Sequence, residues 1–496
     1  MKLRFKIPLL ITSLLCFIAG IILKNPYVLL ASVLLILSHN VLLSMDDFYK
    51  NAIFFCFNIT FFVFLVSRMV VTGVFGYKES TSGLLGLNFK EPVIINTVIV
   101  CLYISLIAVF IGYKIIQKAN LNFLNNKKNP SNSFLNSLRI SSLIYFGLFL
   151  VIRFVYAYEL IQAVVSGGFY ETFLSHNSSL PRFLVKFSET YEVAFYTYLA
   201  TMPSKRKSVL PIFLFILEGF LMALAGRRSN FVLNILIIFI YFCIRSLPKE
   251  KGNKWLGKFE LGLGLSSIPL LMGLMTIIGY LRAGVNRSLG FINSVLDFFY
   301  SQGVSANVIG YAKIYESKIP DNIYTFGPIF EFIHSRITRP LRGMPGFVGQ
   351  TRERALNGFL FSHAISYIIM HDLYLKGHGY GSSFVAELFY DFSYIGVFAG
   401  SIVYGAIIYI FYYTICNSNY IFVIFSMLMT KSILFAPRAA FLSIIVDAFT
   451  PRNIIAVIII ILMAKLLHFI LKQNTPSCLI NNMCVKYLTK IVKKNR

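Results

Sequence analysis

Apolar runs of about 20 residues recur from one end of this chain to the other, separated by short polar segments that are mostly basic. About 20 apolar residues in a helix are what a hydrocarbon core of about 30 Å requires. The runs predict spans near residues 7–23, 26–45, 52–76, 93–116, 140–165, 188–202, 209–226, 229–245, 261–281, 390–415, 420–436 and 453–471, about twelve in all. The first follows Lys2, Arg4 and Lys6 and is read as a retained span, because no small-residue cleavage site with a soluble sequel follows it. Residues 282–389 break the rhythm. There the pattern is one of short amphipathic helices, at Phe291 to Phe299, Ser305 to Tyr315, Ile329 to Ile337 and Leu360 to Met370. Pro320, Pro328, Pro340, Pro345, Gly346 and Gly349 divide them. The segment GYGSSFVAELFYDFSYIG, 379–396, then returns to apolar sequence. The expected fold is an all-α polytopic membrane protein with four parts. These are an N-terminal membrane bundle at 1–281 with about nine spans, a large outer loop at 282–389, C-terminal spans at 390–471 and a basic tail at 472–496.

Composition agrees. The chain is 57% hydrophobic and 13% charged, with a mean hydropathy of +0.72, far above a soluble domain. The net charge of +26 would suggest nucleic acid in a soluble protein. Here no basic–aromatic strand pattern or zinc spacing accompanies it, and basic loops beside lipid headgroups account for it. Placing both termini in the cytoplasm puts lysine-rich 117–139, 203–208 and 246–260 inside, as the positive-inside rule asks, and leaves 282–389 outside. None of the seven cysteines falls in that loop, so no disulfide framework is expected there.

The outer side carries arginine rather than lysine. Residues 282–389 hold Arg282, Arg287, Arg336, Arg339, Arg342, Arg352 and Arg354 against Lys313, Lys318 and Lys376. Arg227 and Arg228 sit in the hairpin AGRRSN after Gly226, and Arg438 and Arg452 lie near the last outer turn. A guanidinium grips phosphate with two parallel hydrogen bonds and keeps its charge. The set therefore points to an anion site, while any single arginine reads equally as solvated, as an interface anchor, or as paired with Glu316, Asp321, Glu331 or Glu353. His363, His371 beside Asp372, and His378 are candidate bases; no histidine or cysteine spacing suggests a metal. In the returning helix, Ser382 or Ser383 can cap, and Glu387, Asp391 and Tyr394 would share a face. Asp391 enters apolar sequence and needs a partner, either an arginine of the loop or Arg68 or Arg153 inside other spans.

With the 379–396 segment, the arginine-bearing outer loop, the AGRRSN hairpin and about twelve spans in view, the chain resembles the oligosaccharide repeat-unit polymerases, the Wzy family of O-antigen and capsule assembly. The resemblance implies a GT-C-like polymerase/ligase architecture in the bacterial inner membrane. It implies inverting, metal-independent and cofactor-free glycosyl transfer at the outer face. An undecaprenyl-pyrophosphate-linked oligosaccharide would be the donor, and a hydroxyl of a second lipid-linked repeat unit the acceptor. A chain-length regulator and a flippase would be partners. On that reading, Glu387 or His363 is the base. Arg227, Arg228, Arg282, Arg287, Arg336, Arg339 and Arg342 bind pyrophosphate, and Tyr380 and Tyr390 stack on sugars. The related O-antigen ligases carry a His-Asn pair where this chain has Ser382 and Ser383. A lipid-linked oligosaccharide flippase, which would place its cations inside the spans, and an O-antigen ligase remain the alternatives.

Overall fold

The computed structural model describes residues 6–79, 82–119, 121, 124, 130–167, 172, 176–247, 255–257, 262, 272–274, 276–278, 290–343, 347 and 349–473. Among them every regular element is helical. Helices α1 (Lys6–Ile22) and α2 (Pro26–Ser44) form an N-terminal hairpin. Helix α3 (Ala52–Phe61) runs through a π-turn (Phe62–Val66) into α4 (Ser67–Phe75). Then come α5 (Pro92–Lys118), α6 (Asn132–Gly167), α7 (Arg182–Ser188), α8 (Tyr191–Ala200), α9 (Lys205–Leu224) and α10 (Arg228–Arg245). The segment expected to lie outside, the outer segment, contributes α11 (Phe291–Gln302), α12 (Ala306–Ile314), α13 (Gly327–Ile333), a second π-turn (His334–Thr338), α14 (Arg339–Arg342), α15 (Arg352–Asn357), α16 (Phe361–Ile369) and α17 (His371–Leu375). The chain closes with α18 (Phe384–Asn417), α19 (Tyr420–Phe435), α20 (Ser443–Ala448) and α21 (Pro451–Gln473).

Nine helices among the described residues are long and apolar enough to cross a membrane, so this is a multi-pass membrane protein. The expected span at 188–202 is the ten-residue α8, preceded by the short α7. The span expected at 261–281 lies largely outside the described residues. The amphipathic stretches of the outer segment fall on α11, α12, α13 with its π-turn, and α16.

The centre of the bundle is the crossing of α5 and α18. A Cβ on Gly112 would come within 2.0 Å of the Ile402 carbonyl oxygen, and one on Gly405 within 2.1 Å of that of Val109. With lipid as solvent, helices gain little from burying apolar surface against one another, so close backbone approach through small residues supplies the attraction. The Ser105 and Ser401 hydroxyls meet across this crossing at 2.9 Å, a contact of the kind that contributes about 0.6 kcal/mol.

Charges inside the bundle are paired or tied to backbone. Arg153 and Glu218 form a buried ion pair at 2.6 Å, joined by the Tyr191 hydroxyl. Arg68 donates to the Gly86 carbonyl and to the Tyr300 hydroxyl, with its guanidinium 3.9 Å over the Tyr300 ring. It fastens α4 to α11. Neither arginine is the partner of Asp391. That carboxylate instead accepts the backbone N–H groups of Tyr324 (3.2 Å) and Thr325 (2.6 Å).

Helix α18 is not continuous. Phe392 and Ser393 leave the helical region, Ser393 with φ of 55°, a strained conformation for a residue with a Cβ. The first two turns therefore point away from the direction of the span that follows. Glu387 and Asp391, four residues apart before the kink, keep the expected common face, and the kink separates Tyr394 from it. Glu387 reaches Ser382 and the turn before α20, and Asp391 reaches the Tyr324 and Thr325 amides.

Candidate functional site

Three adjoining hollows open among the ends of α8, α10, α11, α13 and α19–α21. The largest, about 480 Å³, is an apolar groove between α3–α4, α10 and α19, walled by residues such as Val63, Phe64, Phe231, Leu236, Phe298 and Phe435. Arg227, Arg228 and Arg438 stand in its lining. Gly226, with φ of +89°, permits the turn that ends α9 and presents the two arginines. At Arg438 the groove meets a polar cleft of about 450 Å³, lined among others by Arg336, Ser382, Asp447 and Arg452. A third hollow of about 280 Å³ lies behind, and it reaches Glu189, Glu192, Lys431 and Asp447.

The two π-turns among the described residues both serve this region. One carries Val63 and Phe64 in the groove wall, the other Ser335 and Arg336 in the cleft wall. Inserting a residue into a helix costs regular hydrogen bonding, and such turns concentrate where side chains must be re-aimed for function.

Glu387 is fully buried. One carboxylate oxygen accepts the Ser382 hydroxyl at 2.6 Å, the other the Phe441 backbone N–H at 2.8 Å. It thus joins the strand of chain before α18 to the turn before α20. Both of those segments line the cleft, while Glu387 itself faces the interior, so its sequence-based role as base is not the one this geometry supports. His363 does not line the cleft either. Its Nδ1 lies 2.8 Å from the Tyr374 hydroxyl, and burial together with the neighbouring Arg354 lowers its pKa to about 4. It is a neutral packing residue. Burial likewise pushes the Tyr374 phenol up to about 12.

The expected arginines divide. Arg227, Arg228 and Arg336 line the hollows; Arg339 and Arg342 sit on the exposed side of the outer segment. Arg282 and Arg287 lie outside the described residues. Tyr380 meets Tyr311 and Asn88 on the flank of α12, and Tyr390 packs on Tyr324 and Phe361. Neither tyrosine lines the cleft. Among the described residues no three His, Cys, Asp or Glu side chains gather into a set that could hold a metal ion.

Sequence reasoning noted Arg438 and Arg452 as outer-side arginines but gave them no site role, and it missed Asp447. Arg452 pairs with Glu189 and donates to the Lys186 carbonyl. Arg438 donates to the Gln302 side chain at 3.4 Å. The usable signal for Asp447 was the one applied to Asp391: an acid in apolar sequence requires a reason.

Comparison with known proteins agrees with this architecture. The profile of the O-antigen polysaccharide polymerase Wzy family matches residues 5–472. No curated protein and no solved structure matches the chain.

Proposed function

The chain belongs to the O-antigen polysaccharide polymerase Wzy family, and from that premise we propose that it joins lipid-linked oligosaccharide repeat units into a polysaccharide by inverting glycosyl transfer. The observation that carries this reading is the junction at Arg438, where an apolar groove bordered by three arginines opens into a polar cleft. The polyprenyl tail of the donor lies in the groove, and Arg227, Arg228 and Arg438 hold its pyrophosphate. Each charge-assisted hydrogen bond to a phosphate oxygen contributes about 1.5–3 kcal/mol, and these bonds strengthen as negative charge builds on the departing pyrophosphate. The acceptor sugar lies in the polar cleft beside Arg336 and Arg452. Glu387 positions this arrangement by holding the Ser382 and Phe441 walls together. The cleft faces the outside, because lysine-rich loops collect at the opposite ends of the spans.

The test uses lipid-linked repeat units extracted from producing cells that lack this protein. Purified protein incubated with them yields a ladder of lengthening glycans if the reading holds. Unchanged single units, together with loss of all surface glycan in the deletion strain, would identify a flippase instead.

A further inference from the structure

We propose that Asp447 is the general base that takes the proton from the attacking sugar hydroxyl. The inference rests on the polymerase reading above and assigns a residue that the family match does not.

Six carboxylates surround the cleft and the turn segments that build it. Five have their oxygens engaged. Glu189 holds Arg452, and Glu192 holds Lys431 at 2.6 Å. Glu331 holds Arg354 at 3.1 Å and accepts the Phe359 N–H. Glu387 accepts from Ser382 and Phe441, and Asp391 from Tyr324 and Thr325. Asp447 is exposed in the hollow, and its carboxylate alone among the six accepts no hydrogen bond from any described residue; only its backbone carbonyl accepts one, from the Asn453 amide at 2.9 Å. Its position is as selective as its freedom. It lies on α20, a two-turn helix set between Arg438 and Arg452, and it lines both the polar cleft and the hollow behind. An aspartate that only stabilised the fold would be expected to engage a donor, because leaving a charge unpaired within a membrane protein is costly.

The charged groups facing Asp447 come from every wall. Lys431 lies on α19, Glu192 on α8, Glu189 just before α8 and Arg452 on α21, with Arg336, Glu331 and Arg438 across the cleft. Lys431 pairs directly with Glu192 at 2.6 Å and makes no such contact with Asp447, although its charge reaches the Asp447 carboxylate through space.

The acceptor O–H proton passes to the Asp447 carboxylate as the hydroxyl oxygen forms its bond to the anomeric carbon of the donor. The bond from that carbon to the pyrophosphate oxygen breaks, and its electron pair leaves with polyprenyl pyrophosphate. The proton on Asp447 is then released to water, for which the polar hollow behind the carboxylate has room.

The experiment compares wild type, Asp447→Asn and Asp447→Glu in the ladder assay, and separately measures binding of farnesyl pyrophosphate. Positioned general bases contribute about 10²–10⁴ in rate. The Asn variant should elongate about 100-fold more slowly or worse, the Glu variant should recover to within about tenfold of wild type, and both should bind farnesyl pyrophosphate within about twofold of wild type. Elongation by the Asn variant within about threefold of wild type would overturn the assignment, as would a loss of binding that matches the loss of rate. A wild-type protein that makes no ladder would remove the polymerase reading, and this proposal with it, whereas an intact wild-type ladder confines any failure to Asp447.

Discussion

Glu387, buried behind the wall of the cleft, and Asp447, standing in that wall, use the same functional group in opposite ways. Glu387 lies on the short first segment of α18, is fully buried, and has each oxygen bonded to a different stretch of chain. Asp447, on the short α20, opens into the cleft with both oxygens unengaged by any described residue. Both are acids embedded in apolar sequence. What separates them is whether the fold supplies donors. A saturated carboxylate fixes geometry; an unsaturated one at a cleft wall is free to accept a proton. Desolvation is costly for a carboxylate; hydrogen bonds offset it at Glu387, whereas Asp447 has only the open hollow and the nearby Lys431 charge.

The largest effect that could sharpen this contrast belongs to Glu387→Ala. It strands the Ser382 hydroxyl and the Phe441 N–H in a buried site, at about 3 kcal/mol in total. Thermal unfolding in detergent should show it as a clear drop in midpoint, while Asp447→Asn should stay within about 0.5 kcal/mol of wild type. Equal losses from the two would erase the distinction. Next comes Arg438→Ala, which removes the cation shared by groove and cleft. Elongation should fall about 10–100-fold, with farnesyl pyrophosphate binding weakened by a similar factor. Smaller again are Arg339→Ala and Arg342→Ala, whose side chains lie off the hollows and should change elongation by no more than about twofold. A loss as large as that of Arg438→Ala at either position would move the anion site outward.

A pH dependence gives an independent check. His363 has its pKa lowered in the fold to about 4 from an ordinary value near 6.5. Between those values the unfolded chain binds a proton that the folded chain does not. The contribution of His363 to stability is therefore intact above about pH 6.5 and lost as pH falls towards about 4. Hydrogen exchange in α16 and α17 should accelerate across that window, and His363→Phe should flatten the response.

Most of the helical plan was legible because hydrophobic period and length are local properties. The bounds of α5, α10, α11, α12 and α16 follow directly from apolar runs and the residues that interrupt them. The Ser393 kink was not legible. FYDFSYIG contains no proline, and its lone glycine comes three residues later; the break accompanies contacts made elsewhere. Asp391 is drawn to the Tyr324 and Thr325 amides, and Gly396 is crowded by Phe392 and the Leu388 carbonyl. The site was legible by half. Clustered arginines at 227, 228 and 336 announced themselves, whereas Asp447 gains its character only when α20 is folded between the outer segment and α8. Tyr380 and Tyr390 were read as sugar platforms for want of the rings that pack on them.

The glycine contact between α5 and α18 sets a mechanical limit. With backbone touching backbone at Gly112 and Gly405, neither helix can slide along the other without a collision. Gly405 lies twelve residues past Ser393 (405 minus 393), about 18 Å along the helix. Relative movement of the two helices is therefore confined to tilting about that contact, with travel growing towards the kinked end.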